Sequence, residues 1–242
     1  MRLNVACCIM IGIMVAALET SRVEAESIIA IDVGHSKSSP GAISARGIPE
    51  FNFNGGLAAV ILNKLSSDGI HAFLIAADGQ MTDLRKRTEQ ATAGNATFLI
   101  SIHHDSVQPH YLQEWNWQGI TRRYSDKYAG YSLFVSRTNI DPTSSLRCAS
   151  EIGKALKKNG FHSSSHHAES IPGESREWAD EENGVYYYDN LSVLKNATCP
   201  AVLFEAGIIV NRNEEQKIQT AETRQSIAAA VKQGLAACGM LK

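Results

Sequence analysis

The feature that most constrains this chain is a rhythm in which short, nearly continuous apolar runs alternate with helix-like amphipathic segments. Residues 27–32 (SIIAID), 71–76, 97–103 (TFLISIH), 131–136 (YSLFVS), 185–188 and 201–205 (AVLFE) read as strands. Between them, residues 54–67 read as a helix with Leu57, Val60, Ile61 and Leu65 on one face and Gly69 as its stop. Residues 82–94 open on Thr82 and Asp83, and residues 141–159 open on Asp141 and Pro142, both helix-start signals. A last helix covers about residues 223–237. Strands without a polar face must be covered on both sides. The pattern therefore predicts an α/β fold: one domain, with a mostly parallel (mixed) twisted sheet of about six strands and helices on both faces. No repeat, low-complexity tract or linker divides the chain.

The first residues follow another logic. Arg2 precedes an unbroken apolar and small run over residues 5–18, and Val23-Glu24-Ala25 offers a small-x-small cleavage site. This predicts a secretory signal peptide over residues 1–25 and a mature domain over residues 26–242. The run is short for a membrane span of ~20 residues, and Cys7 and Cys8 lie inside it, which argues against a lipoprotein. No later stretch approaches membrane-spanning length, so the mature chain is expected to be soluble and exported. The 23 Lys and Arg against 25 Asp and Glu give a net charge of −2, without the basic footprint of a nucleic-acid binder. Cys148, Cys199 and Cys238 allow one disulfide plus a thiol, or none, and are too few for a zinc site of four thiolates.

Three strands end in ionisable residues: SIIAIDVGH delivers His35, TFLISIHHD delivers His103, His104 and Asp105, and AVLFEAG delivers Glu205. Ligands of open α/β sheets bind at the carboxyl ends of strands, where residues distant in sequence meet. Glu50 follows a loop, residues 36–49, that leaves His35 and must return to the same edge. Two histidines and a glutamate can hold a catalytic zinc, and a further carboxylate can take a proton from water. Plainer roles exist: a turn for His35, a helix-start carboxylate for Glu50. His103 and His104 cannot face the same side of a strand, so one is a candidate ligand and the other is not. Glu205, closing an apolar strand, is costly to bury unless paired or functional.

These residues carry a resemblance. Asp32-Val33-Gly34-His35, then Pro40-Gly41-Ala42, then Glu50, is similar to the opening of the zinc-dependent N-acetylmuramoyl-L-alanine amidases of the amidase-3 type. Leu84-x-x-Arg87-x-x-x-Ala91 running into Phe98-Leu99-Ile100-Ser101-Ile102-His103-His104-Asp105 resembles that family's helix and "SIHAD" strand. Pro200 to Gly207, followed by Asn211 and Glu214-Glu215, resembles its closing segment. The resemblance implies one zinc held by His35, Glu50 and His103, with Glu205 as catalytic carboxylate. It implies hydrolysis of the amide between the lactyl group of N-acetylmuramic acid and L-alanine of the peptidoglycan stem. His104 stands where the family has Ala, and Val33 where it commonly has Pro; neither change removes a ligand. Different readings of the same residues are an exported zinc peptidase on another substrate and a non-catalytic cell-wall binder. A short exported amidase without wall-binding repeats fits a periplasm, with extracellular release as the alternative.

Two segments break the rhythm, residues 106–129 and 162–183. Irregular stretches of this length within a domain are often functional. The first carries Trp115, Trp117, Arg122 and Arg123, suited either to a sugar and a carboxylate or to a surface flap. The second carries His166, His167, Glu169 and Glu174. Some relatives have an acidic plug in a comparable place that a protein activator withdraws, so Glu169 or Glu174 is either such a plug or part of a solvated loop.

Overall fold

The computed structural model describes residues 27–241, so the expected signal peptide lies outside the described residues. Every residue of Ile28–Val33 (β1) after the first is buried, as a strand with no polar face requires. It sits between His71–Ile75 (β2) and Phe98–Asp105 (β3), parallel to both. Ala201–Ile208 (β9) continues the parallel set beside β3. Ser132–Val135 (β6) then runs antiparallel to β9, followed by Val185–Tyr187 (β8) and Trp178–Asp180 (β7). The sheet has seven strands in the order β2-β1-β3-β9-β6-β8-β7, one more than the six expected. The extra strand, β7, is three residues of half-buried WAD, too short to show a period.

Glu50–Ser67 (α1), Pro142–Lys158 (α3) and Ala221–Ala237 (α6) cover one face of the sheet. Leu57, Ile61 and Leu65 meet Ile29, Ile31, Ile100 and Ile102 there, together with Ile227 and Val231. Burying one such side chain is worth roughly 1.5–3 kcal/mol, so this face holds much of the fold's stability. Leu84–Ala93 (α2) and Ser192–Asn196 (α4) cover the other face, against Ala30, Leu99, Ala201 and Leu203. Asp83 caps α2 by accepting from Arg85 N, and Asp141 caps α3 from Ser144 N with Pro142 in the first turn, as expected. Glu214–Gln219 (α5) packs beside β9. A disulfide joins Cys148 of α3 to Cys238 just after α6, with Cα atoms 5.0 Å apart, and Cys199 is a buried thiol.

α1 starts four residues earlier than the apolar period suggests. Pro49 supplies its extended N-cap and Glu50 its first turn, so Glu50 is helical rather than a loop residue before a helix. Neither irregular segment is structureless. The first contains a hairpin, Gln113–Trp117 (β4) and Ile120–Tyr124 (β5), turning at Gln118 and Gly119 with φ of 53° and 81°. Positive φ at both corners matches the twist of the flanking strands. The second contains a 3-10 turn over His166–Ala168 and β7.

Candidate active site

The period of two along the strands decides what faces what. Ala30, Leu99, Ala201 and Leu203 point toward α2 and α4, so Asp32, Ser101, His103, Asp105 and Glu205 continue that face toward the carboxyl edge. Register places His103 of β3 directly beside Glu205 of β9. His104 continues the opposite set after Ile100 and Ile102. There its Nδ1 lies 2.8 Å from Asn54 Oδ1 and its ring packs on Phe53. Burial pushes the His104 imidazole down to about 3, so it is neutral. The two adjacent histidines thus serve different faces.

His35, Glu50 and His103 converge. Glu50 Oε2 lies 2.9 Å from His35 Nε2 and Oε1 lies 3.0 Å from His103 Nδ1, with the two rings edge-on at 4.9 Å. Three further groups hold the carboxylate: the amide of Ala42 at 3.0 Å, the amide of His104 at 3.2 Å and Asn54 Nδ2 at 3.1 Å. Burial raises the Glu50 carboxyl, but hydrogen bonds from His103 and His35 outweigh it and hold the group well below the ordinary carboxylate range. The arrangement fits a zinc ion by its donors, two imidazole nitrogens and a carboxylate oxygen within 4.8 Å of one another. It fits also by its room. A Cβ on Gly34 would stand 2.3 Å from His103 Nε2, and one on Gly41 2.3 Å from Glu50 Oε2, so both glycines are needed for the side chains to close on a common centre.

Glu205 stands apart from that set. Its Oε2 is buried and has no hydrogen-bond partner among the described residues. Burial, then the negative charges of Asp105 and Glu50, push its carboxyl well above the ordinary range. A buried carboxyl with its proton affinity raised in this way is suited to exchanging protons with a group brought beside it.

Sequence reasoning missed the groups that set these side chains in place. Arg87 of α2 is buried and donates to Asp32 Oδ1 and the Val33 carbonyl, both at 2.6 Å, to Met81 O at 2.9 Å, and to the carbonyl of His35. Asp32 accepts from Ser101 Oγ at 2.6 Å. His35 has φ of 68°, a left-handed conformation that costs a non-glycine residue energy. Arg87 clamps the backbone on that turn. The signal was present as Asp32 closing an apolar strand and one Arg inside a short helix. Likewise Asn54, on α1 one turn after Glu50, bridges Glu50, the Gly34 carbonyl and His104. The returning loop is anchored by buried Glu215, which accepts from Ser44 Oγ at 2.6 Å and Arg46 Nη1 at 2.7 Å.

A cavity of about 210 Å³ opens beside His35 and His103, walled by Met81, Leu84, Leu191, Val193 and Leu203. The aromatic face of the hairpin is occupied by the chain's own cations. Arg46 stacks over Trp117 at 4.8 Å and Trp115 at 5.4 Å, Arg212 lies over Trp115 at 5.2 Å, and Trp115 Nε1 donates to Ala45 O. These contacts fasten the hairpin to Ala45, Arg46 and Arg212, with both tryptophans half-buried rather than buried. In the second segment, Glu169 accepts from Tyr111 at 2.9 Å and from Tyr128, and Glu174 pairs with His167 at 2.8 Å and Gln108 at 2.7 Å. Both acids are bonded to groups other than His35, Glu50 and His103, and these bonds fasten a loop whose residues are otherwise mostly half-buried or exposed. His167 itself is raised to about 9: burial lowers it, but Asp105 and Glu174 win.

A histidine–glutamate–histidine group with an isolated carboxyl beside it, at the carboxyl edge of an α/β sheet, defines a hydrolase class. Within that class the chain belongs to the N-acetylmuramoyl-L-alanine amidase family (amidase 3), whose model matches residues 29–237. It is 25% identical over 238 residues to a putative N-acetylmuramoyl-L-alanine amidase of Buchnera aphidicola subsp. Acyrthosiphon pisum, covering 86% of this chain and 92% of that one. Its fold matches the apo N-acetylmuramyl-L-alanine amidase of Mycobacterium abscessus with a TM-score of 0.69 and 21% identity, over 89% of this chain and 99% of that one. It also matches a Clostridioides difficile amidase solved in complex with a lipoprotein, with a TM-score of 0.60 and 19% identity, over 87% and 97%.

Proposed function

We propose that this chain is an exported, zinc-dependent N-acetylmuramoyl-L-alanine amidase acting on peptidoglycan, with His35, Glu50 and His103 as ligands of one zinc and Glu205 as the catalytic carboxylate. The observation that carries this reading is the convergence of the three ligands on one centre, with Glu205 beside His103 in register on the same face. Bound zinc supplies Lewis-acid polarisation of the scissile carbonyl and a water of lowered pKa. Glu205 accepts the proton of the attacking water and returns it to the departing amine of L-alanine, a double role suited to a carboxyl raised by burial. The apolar cavity beside His35 takes the part of the substrate flanking the scissile amide.

Export is supported by the Cys148–Cys238 disulfide, which persists in oxidising compartments, and the periplasm is the compartment we assign to residues 26–242 once residues 1–25 are cleaved. Among the described residues no helix is long and apolar enough to cross a membrane. A protein activator is part of the proposal, supported by the clostridial amidase held in complex with a lipoprotein.

The test is digestion of purified sacculi followed by mass spectrometry, with Glu205→Ala and a chelated sample alongside. Free stem peptides beginning at L-alanine, absent from both controls, are expected. Intact glycopeptides from zinc-loaded wild type, persisting when an envelope extract is added to supply an activator, would overturn the reading.

A further inference from the structure

A second histidine–carboxylate cluster lies at the same edge of the sheet and shares no residue with the first. Asp105 closes β3, and His166 and His167 open the 3-10 turn of the second irregular segment. Their nitrogens and the carboxylate oxygen all lie within 4.8 Å of one another. Both rings aim the same atom inward: Nε2 of His166 is 3.2 Å, and Nε2 of His167 2.7 Å, from Asp105 Oδ2. We propose that Asp105, His166 and His167 form a second metal site, for a divalent ion of the zinc class, separate from the first ligand set.

Two independent features point to a ligand here. The first is how the outer nitrogens are held. His167 Nδ1 lies 2.8 Å from a Glu174 oxygen, and the other oxygen of Glu174 is fixed by Gln108 Nε2 at 2.7 Å. His166 Nδ1 lies 2.8 Å from Ser164 Oγ. Imidazoles that bind metals through one nitrogen are oriented by a hydrogen bond at the other, and here His167 is held by a carboxylate and His166 by a hydroxyl. The second feature is His166 Nε2 itself. The residue is 2% exposed, and this buried nitrogen has no hydrogen-bond partner of good geometry among the described residues. His167 is satisfied by Asp105 and Glu174 without any ion, whereas His166 is not. A cation at the centre would satisfy both rings and Asp105 together. Two imidazoles and one carboxylate are a donor set that zinc and its neighbours accept.

The position gives the ion a task. It would tie the 3-10 turn to the end of β3, two residues beyond His103, and so fix the second segment over the edge where Glu205 stands. This assignment does not rest on the amidase reading.

The experiment strips the full chain with chelator, then titrates it with Zn2+ by native mass spectrometry and with Co2+ by visible absorption. Wild type is expected to take two ions per chain, His35→Gln one, His166→Gln one, and the double variant none. Circular dichroism checks that each variant folds. If His166→Gln does not fold, Glu174→Gln leaves all three ligands in place and should weaken one of the two sites by roughly 10–100-fold. Saturation of wild type at one ion, lost in His35→Gln, would overturn the second site. So would a residual ion in His35→Gln that ignores His166→Gln. A single ion that survives His35→Gln and vanishes in His166→Gln would support the second site and count against the first.

Discussion

The two histidine–carboxylate clusters stand on one face of one sheet and are built by opposite means. The first draws its side chains from the end of β1, the start of α1 and the end of β3. It is held by backbone amides of Ala42 and His104 and by the Arg87 fork on the turn at His35. The second takes only Asp105 from a strand. Its histidines come from a loop and are positioned by Ser164 and Glu174 of that same loop, with Gln108 of the other irregular segment bracing Glu174. A site framed by backbone and buried ion pairs shares the stability of the whole domain. A site framed by loop side chains has only the stability of the loop.

Removing the ion from the first cluster should have the largest effect. His35→Gln, which empties that cluster alone, is expected to reduce turnover of sacculi to background with the fold retained, read by release of stem peptides. Glu205→Gln should cost on the order of 10²–10⁴ in kcat, the usual worth of a general base, while the metal content stays that of wild type. If Glu205→Gln loses metal instead, the carboxylate is a ligand and the division between the two clusters fails.

Stability should separate the regions next. Arg87 and Asp32 are 2% and 0% exposed and paired at 2.6 Å, so Arg87→Leu leaves a buried carboxylate without its partner. The expected loss is about 3–5 kcal/mol of global stability by denaturant unfolding. Replacing both Cys148 and Cys238 by Ser should cost about 2–4 kcal/mol. That bond lies behind the sheet, between α3 and the end of α6, so turnover at 25 °C should stay unchanged. Its loss alongside stability would show that the two faces are coupled.

The contrast also explains what could be read from sequence. His35, Glu50, His103 and Glu205 sit at element ends, where an apolar run stops on an ionisable residue, and that is a local signal. The resemblance singles out His103 of the two adjacent histidines, and the strand period places His103, not His104, beside Glu205. Arg87 and Asn54 were missed in these roles because their partners lie 55 and 50 residues away, as Asp32 and His104. The hairpin escaped notice because its turn is Gln-Gly and its strands mix Trp, Arg and Asn on exposed edges. β7 is three residues long and, among the described residues, pairs with β8 alone. For such pieces tertiary contacts decide, and no local propensity reports them.

The smallest expected effect tests the loop alone. Glu169 joins the two irregular segments: its oxygens accept from Tyr111 and Tyr128, and Lys127 lies 3.7 Å away. Glu169→Gln keeps the shape and removes the charge. The group is partly exposed, so solvent screening reduces what its charged hydrogen bonds are worth, to about 1 kcal/mol. Amide hydrogen exchange across residues 166–176 should quicken about five-fold, while the global unfolding midpoint stays put. The hydrogen bond from Tyr128, opposed by burial and helped by Tyr111, holds the Glu169 carboxyl below its ordinary range. Its contribution is therefore present above the unfolded carboxyl pKa and lost as pH falls through the lower folded one, where wild type and Glu169→Gln should exchange alike. A global loss as large as the local one would mean that the loop is part of the core, and that the second cluster is framed as firmly as the first.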